Sequence, residues 1–110
     1  MTIGAKAFWG TTLEQTELPS TLTSIGMSAF YYCSKLKNIV IPDGVTNIPE
    51  DTFYDCGLET VDVGNGVTII GASAFGKNNI KQLTLGKKVK KIEKYAFSSC
   101  SSIVQIKCLA

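Results

Sequence analysis

Apolar residues recur along this chain in a block that repeats five times. Ile3, Ile25, Ile48, Ile70 and Ile92 each stand five residues before a phenylalanine, and those phenylalanines, Phe8, Phe30, Phe53, Phe75 and Phe97, follow one another at intervals of 22, 23, 22 and 22 residues. A fixed period in the twenties marks units too small to bury their own apolar face, so consecutive units stack and share one core. Each unit also carries a triple of core positions in an L-x-x-I-x-I-like order: Leu13/Thr16/Leu18, Leu36/Ile39/Ile41, Leu58/Val61/Val63, Ile80/Leu83/Leu85 and Ile103/Ile106/Cys108. The last two of each triple alternate with polar residues, which places them on one face of a short strand. Turns follow at Pro19-Ser20-Thr21, Pro42-Asp43-Gly44, Gly64-Asn65-Gly66 and Gly86-Lys87-Lys88, whose Pro, Gly and Asn supply the bend. A second apolar pair comes next (Leu22/Ile25, Val45/Ile48, Val67/Ile70, Val89/Ile92). The closing Ala-Phe segment, Thr-Phe in one unit, reads as one or two helical turns.

The L-x-x-L-x-L order at this period is the leucine-rich repeat signature, without its usual Asn or Cys eight residues after the first Leu. The stretches LPSTLTSIGMSAFYYC, IPDGVTNIPEDTFYDC and LGKKVKKIEKYAFSSC resemble the BspA-like leucine-rich repeats, close to I-P-x-x-V-T-x-I-G-x-x-A-F-x-x-C-x-x-L. The resemblance covers essentially the whole chain. Departures are Thr52 for Ala, Thr11 and Asn78 for Cys, Pro49 and Glu93 for Gly, and Thr16 for the first apolar strand residue. The implied fold is α/β: a right-handed leucine-rich repeat solenoid of about five turns, with short strands about 4.8 Å apart in a parallel sheet on one face and short helical turns on the others. Residues 1–110 form one domain in this reading, with repeats starting near 3, 25, 48, 70 and 92.

The chain enters directly at Ile3 and stops within a strand at Ile106-Lys107-Cys108-Leu109-Ala110. The expectation is therefore an excised piece of a longer array. Its physical consequence is homo-association through uncapped ends, with Ile3 and Phe8 at one contact and Ile106, Cys108 and Leu109 at the other. The first residues lack a basic region followed by an apolar run, and no apolar stretch approaches the length of a membrane span. The family resemblance implies a cell-surface or secreted parent.

Composition narrows the chemistry. The chain has 110 residues, 45% apolar and 18% charged, with no histidine, and all eleven of its basic residues are lysine. A Ser-His-Asp triad, a His-based metal site and an arginine clamp are excluded. The acids Asp43, Glu50, Asp51, Asp55, Glu59 and Asp62 match neither a calcium loop nor a paired-carboxylate cleft, and read as a solvated surface. The glycines of Gly64-Asn65-Gly66-Val67-Thr68-Ile69-Ile70-Gly71 are turn positions of the repeat, misplaced for a dinucleotide fingerprint. No enzyme activity, cofactor or metal is expected. Cys33, Cys56 and Cys100 each follow their Phe by three residues and so form one inward column, shared with Thr11 and Asn78, of parallel thiols that do not form disulfides. Cys108, at a strand-core position near an end, is the most reachable thiol.

Lys77, Lys81, Lys87, Lys88, Lys90, Lys91 and Lys94 crowd together against one acid, Glu93. They read either as a polyanion site or as a solvated flank. Proteins that read nucleic acid pair such charge with arginine and stacking aromatics, so nucleic acid is not the expected partner. The outward strand positions are where a solenoid presents ligand-reading groups. One column is Glu14, Lys37, Glu59, Lys81 and Val104, which alternates in sign and neutralises itself. A second is Gln15, Asn38, Thr60, Gln82 and Gln105, a ladder of amides and hydroxyls. A third is Glu17, Val40, Asp62, Thr84 and Lys107. The family resemblance, with the missing catalytic residues, implies a non-enzymatic recognition or adhesion module that presents these positions to a protein or glycan ligand. The alternative is a spacer, or a self-associating solenoid, whose sheet face binds nothing. Trp9, Tyr31, Tyr32 and Tyr54 are expected to pack between turns.

Overall fold

The computed structural model describes residues 1–14, 17–100 and 105–108. Every strand pairs in parallel with the strand one repeat away, as stacking of like units requires. The large sheet has the order β3 (Asn38–Val40), β5 (Thr60–Asp62), β7 (Gln82–Leu85) and β9 (Gln105–Cys108). A second, narrower sheet has the order β4 (Asn47–Ile48), β6 (Ile69–Ile70) and β8 (Lys91–Ile92), and β1 (Thr2–Ile3) pairs with β2 (Ser24–Ile25). The result is a parallel-sheet solenoid of about four turns, one fewer than the sequence predicts.

The core is a set of columns set by register. Ile39, Val61 and Leu83 align across the large sheet and are buried, while Ile25, Ile48 and Ile70 line the narrow side and are buried too. Phe30, Phe53 and Phe75 are fully enclosed, and the five Phe rings stack from Phe8 to Phe97 with centroids 5.1 to 5.4 Å apart. That spacing follows from the distance between neighbouring backbones in a stack of parallel strands.

Among the described residues there is no helix, and the predicted helical turns at the Ala-Phe segments are corrected accordingly. In the first coil the amides of Ala7, Trp9 and Thr11 donate locally to the carbonyls of Gly4, Lys6 and Phe8, while those of Lys6, Phe8 and Gly10 donate to Met27, Ala29 and Tyr31 of the next coil. The same alternation recurs at Phe30, Phe53 and Phe75. Every second amide is thus committed to a neighbouring coil, which removes the i−4 ladder that a helix needs. The backbone accommodates this by turning left-handed twice per coil. These residues are Lys6 and Gly10, Ser28 and Tyr32, Asp51 and Asp55, Ser73 and Lys77, and Tyr95 and Ser99, all with φ between 55° and 68°. Adjacent Ala and Phe alone do not distinguish this arrangement from a helical turn.

One glycine pair shows how close the coils come. A Cβ on Gly64 would strike the carbonyl oxygen of Ile41, and one on Gly66 would strike that of Asp43.

Candidate ligand-binding face

The outward side of the large sheet is built as the strand alternation predicts. Asn38, Thr60, Gln82 and Gln105 lie in one register column, and Val40, Asp62, Thr84 and Lys107 in the next. Asn38, Thr60 and Gln82 are exposed, Val40 is 61% exposed, and Asp62 and Thr84 are half-buried. For Gln105 and Lys107 the backbone register is what places them. Gln15 lies outside the described residues, and Glu17 is exposed beside the second coil.

Beside these columns, Glu59 sits between two lysines, its Oε2 3.6 Å from Lys37 Nζ and its Oε1 3.8 Å from Lys81 Nζ. Over these three coils Glu59 thus bridges both lysines and offsets one of their two charges. All three side chains are at least 40% exposed, so each pair contributes little, about 0 to 1 kcal/mol. The face then offers a neighbouring ligand uncharged hydrogen-bonding groups at Asn38, Thr60 and Gln82, with a carboxylate at Asp62.

At the upper edge of this face is an open groove of about 780 Å³, lined by Glu17, Leu18, Pro19, Asn38, Val40 and Pro42. Its walls are mainly apolar and its polar side chains are Glu17, Ser20 and Asn38. The sequence columns contain three of these residues but do not reveal the concavity, which arises from the packing of two coils.

The cysteine column is structural. Cys33, Cys56 and Cys100 are free and buried. Each thiol donates to the carbonyl of the preceding coil's phenylalanine: Cys33 Sγ to Phe8 O at 3.0 Å, Cys56 Sγ to Phe30 O at 2.8 Å and Cys100 Sγ to Phe75 O at 3.1 Å. Asn78 Nδ2 makes the corresponding bond to Phe53 O at 2.9 Å. The Cys33 sulfur, as an acceptor for the Cys56 thiol, and burial together push the Cys56 thiol up, and burial does the same to Cys100. The Cys56 thiol beside Cys33 draws the Cys33 pKa down to about 6, but Cys33 Sγ faces a carbonyl oxygen that accepts a proton and repels a thiolate. We assign all three as neutral thiols on that geometry. Cys108 lies in β9, in register with Leu85.

Of the aromatic residues beside the core, Trp9, Tyr31 and Tyr54 form a second stack with centroids 4.3 and 5.2 Å apart, which is the inter-turn packing expected. Tyr32 departs from it and is 52% exposed. At the predicted end contacts, Phe8 is 37% exposed and Ile3 half-buried. Ile106 and Cys108 lie in β9 at an edge of the large sheet, and Leu109 lies outside the described residues. No group of three or more His, Cys, Asp or Glu able to hold a metal occurs among the described residues.

A stack of parallel coils with a polar sheet face and a groove at its edge defines a repeat protein of the binding or scaffold kind. The family model of the BspA type leucine rich repeat region matches residues 1–110 in six copies, and the chain belongs to that family. Among solved structures, it is similar to a leucine-rich repeat protein from Bacteroides ovatus, at 35% identity and a TM-score of 0.90 over 96% of this chain and 28% of that one. A leucine rich cell surface protein from Faecalibacterium prausnitzii matches at 34% identity and a TM-score of 0.88 over 97% of this chain and 29% of its own length. The leucine rich repeat protein of T. pallidum matches at 30% identity and a TM-score of 0.89, over 96% of this chain and 50% of that chain. No curated protein matches. The chain thus spans under a third of the first two relatives.

Proposed function

We propose that this chain is a non-catalytic recognition module of a surface-displayed or secreted protein, and that its large sheet reads a protein or glycan ligand. The observation that carries the reading is the aligned, exposed column of Asn38, Thr60 and Gln82 beside a column in which Glu59 bridges Lys37 and Lys81. Hydrogen-bonding groups that are spaced at the strand repeat and not consumed by one another suit a polar ligand lying across the strands. One structural relative is named as a cell-surface protein, which supports the location. No helix among the described residues is long and apolar enough to cross a membrane.

The triple variant Asn38→Ala, Thr60→Ala, Gln82→Ala tests the reading in a screen against extracellular-matrix proteins and an arrayed glycan set. These side chains are exposed, so the fold survives the change. Loss of a hit seen with the parent chain supports the sheet face. A hit that survives places recognition elsewhere, and no hit at all favours the spacer.

A further inference from the structure

In five neighbouring columns the residue on the lower coil is lysine where the coils above carry something else. Lys87 and Lys88 follow Gly86, which lies against Gly64 and Asn65, so they continue the turn columns of Asp43/Asn65 and Gly44/Gly66. Lys90 donates its amide to Thr68, which donates to Thr46. Lys91 pairs with Ile69, which pairs with Asn47. Lys94 accepts from Ser73 as Ala72 accepts from Asp51 and Glu50 accepts from Ser28. All five lysines are exposed.

Clustering sets this strip apart, with five lysines between residues 87 and 94, whereas Lys6, Lys35 and Lys77, also without a carboxylate within 4.0 Å among the described residues, are scattered over other coils. Lys37 and Lys81 share Glu59, and Lys91 meets Glu93 Oε1 at 3.3 Å. Lys87, Lys88, Lys90 and Lys94 have no carboxylate within 4.0 Å among the described residues. The acids Asp43, Glu50, Asp51, Asp55 and Asp62 lie in coils above. A linear anion is therefore repelled along the solenoid axis and attracted along the lysine coil. From Lys87 to Lys94 the backbone spans at most about 23 Å, the reach of several sugar residues.

We propose that this lysine strip binds an acidic polysaccharide laid along the coil, at a site separate from the sheet face. Lysine is a point charge on a flexible stem, suited to irregularly placed sulfates and carboxylates, whereas the bidentate geometry that favours phosphodiesters belongs to arginine. The aromatic side chain beside the strip is Tyr95, 62% exposed with Lys94 Nζ 5.0 Å from its ring centroid, a single ring where single-stranded nucleic acid is held by a succession of stacked bases. Nucleic acid and acidic peptide are the competing anions, and the experiment separates them.

The test is titration of the 110-residue chain at physiological ionic strength with a heparin oligosaccharide, a single-stranded oligodeoxynucleotide, polyglutamate and neutral dextran. The heparin fragment is expected to bind best and dextran not at all. The exposed triple variant Lys87→Gln, Lys88→Gln, Lys90→Gln should weaken heparin binding by at least about tenfold, or about 1.4 kcal/mol, while Lys35→Gln leaves it unchanged. Should the triple variant misfold by circular dichroism, Lys94→Gln with Lys88→Gln serves in its place. No heparin binding, binding insensitive to these variants, or equal binding of the oligonucleotide or polyglutamate overturns the proposal. The sheet-face variant Asn38→Ala, Thr60→Ala, Gln82→Ala should retain heparin binding, so failure of one site is distinguishable from failure of the other.

Discussion

Asn78 Oδ1 accepts two hydrogen bonds from the coil above, from the amides of Cys56 and Leu58, each at 3.0 Å. Its Nδ2 donates to Phe53, Phe75 and Gly76 carbonyls at 2.9, 2.8 and 3.2 Å. The asparagine compensates for a one-residue shortening. Cys33 and Leu36 are separated by two residues, and the Leu36 amide closes a local bond to Cys33 O. Only Gly57 separates Cys56 from Leu58, with φ +69°, and the side chain below supplies the acceptor that the shorter turn lacks.

Asn78→Ala should accordingly be among the most destabilising polar substitutions, because buried groups left unpaired cost about 1 to 3 kcal/mol each. Asn78→Cys restores a donor towards Phe53 O, as the other cysteines provide, but no acceptor for Leu58, and should fall between wild type and Asn78→Ala. Urea denaturation of the three proteins checks the order.

The Phe stack predicts a gradient along the axis. Phe53→Ala removes a fully buried ring with a partner on each side and should cost about 3 to 5 kcal/mol. Phe8→Ala, at an exposed end with the single stacking partner Phe30, should cost clearly less. Equal losses in a denaturation comparison would contradict the stacked-column account.

The thiol column predicts both a redox state and a pH dependence. Mass measurement with thiol labelling under denaturing, non-reducing conditions should find every cysteine labelled and no loss of two protons. The raised pKa of Cys56 in the fold means that the native state keeps a proton that the unfolded chain releases above the ordinary thiol value of 9.0. Stability from this group is thus complete below pH 9 and falls as pH rises beyond it, at up to about 1.4 kcal/mol per pH unit. Cys56→Ser should flatten that alkaline decline; an unchanged slope would show that the thiol is not its source.

Left-handed backbone at exposed, side-chain-bearing positions gives a stabilising substitution. Tyr32 has φ 59° and is 52% exposed, and Gly10 occupies the equivalent place in the first coil. A left-handed conformation costs a non-glycine residue about 1 to 2 kcal/mol, against roughly 0.5 to 1 kcal/mol of extra entropy for glycine. Tyr32→Gly should therefore be neutral to mildly stabilising in a thermal melt, whereas a marked loss would mean that the Tyr32 ring contributes packing.

Much of this protein was determined by sequence alone, because the repeat fixes translation. Once Ile and Phe recur every 22 or 23 residues, stacking dictates the parallel pairing, the buried Ile, Phe and Cys columns, and the outward register of Asn38, Thr60 and Gln82. The sign alternation at Lys37, Glu59 and Lys81 likewise had to become contact at strand spacing. Tertiary structure decided what happens within a single coil. Whether Ala-Phe forms a helix depends on where each amide goes, and amides of Lys6, Ser28, Asp51 and Ser73 found acceptors in the next coil, a choice with no periodic trace in the sequence. The role of Asn78, the groove at Val40 and the lack of a carboxylate beside Lys87, Lys88, Lys90 and Lys94 among the described residues have the same origin, since each depends on which atoms of neighbouring coils come within a few ångströms.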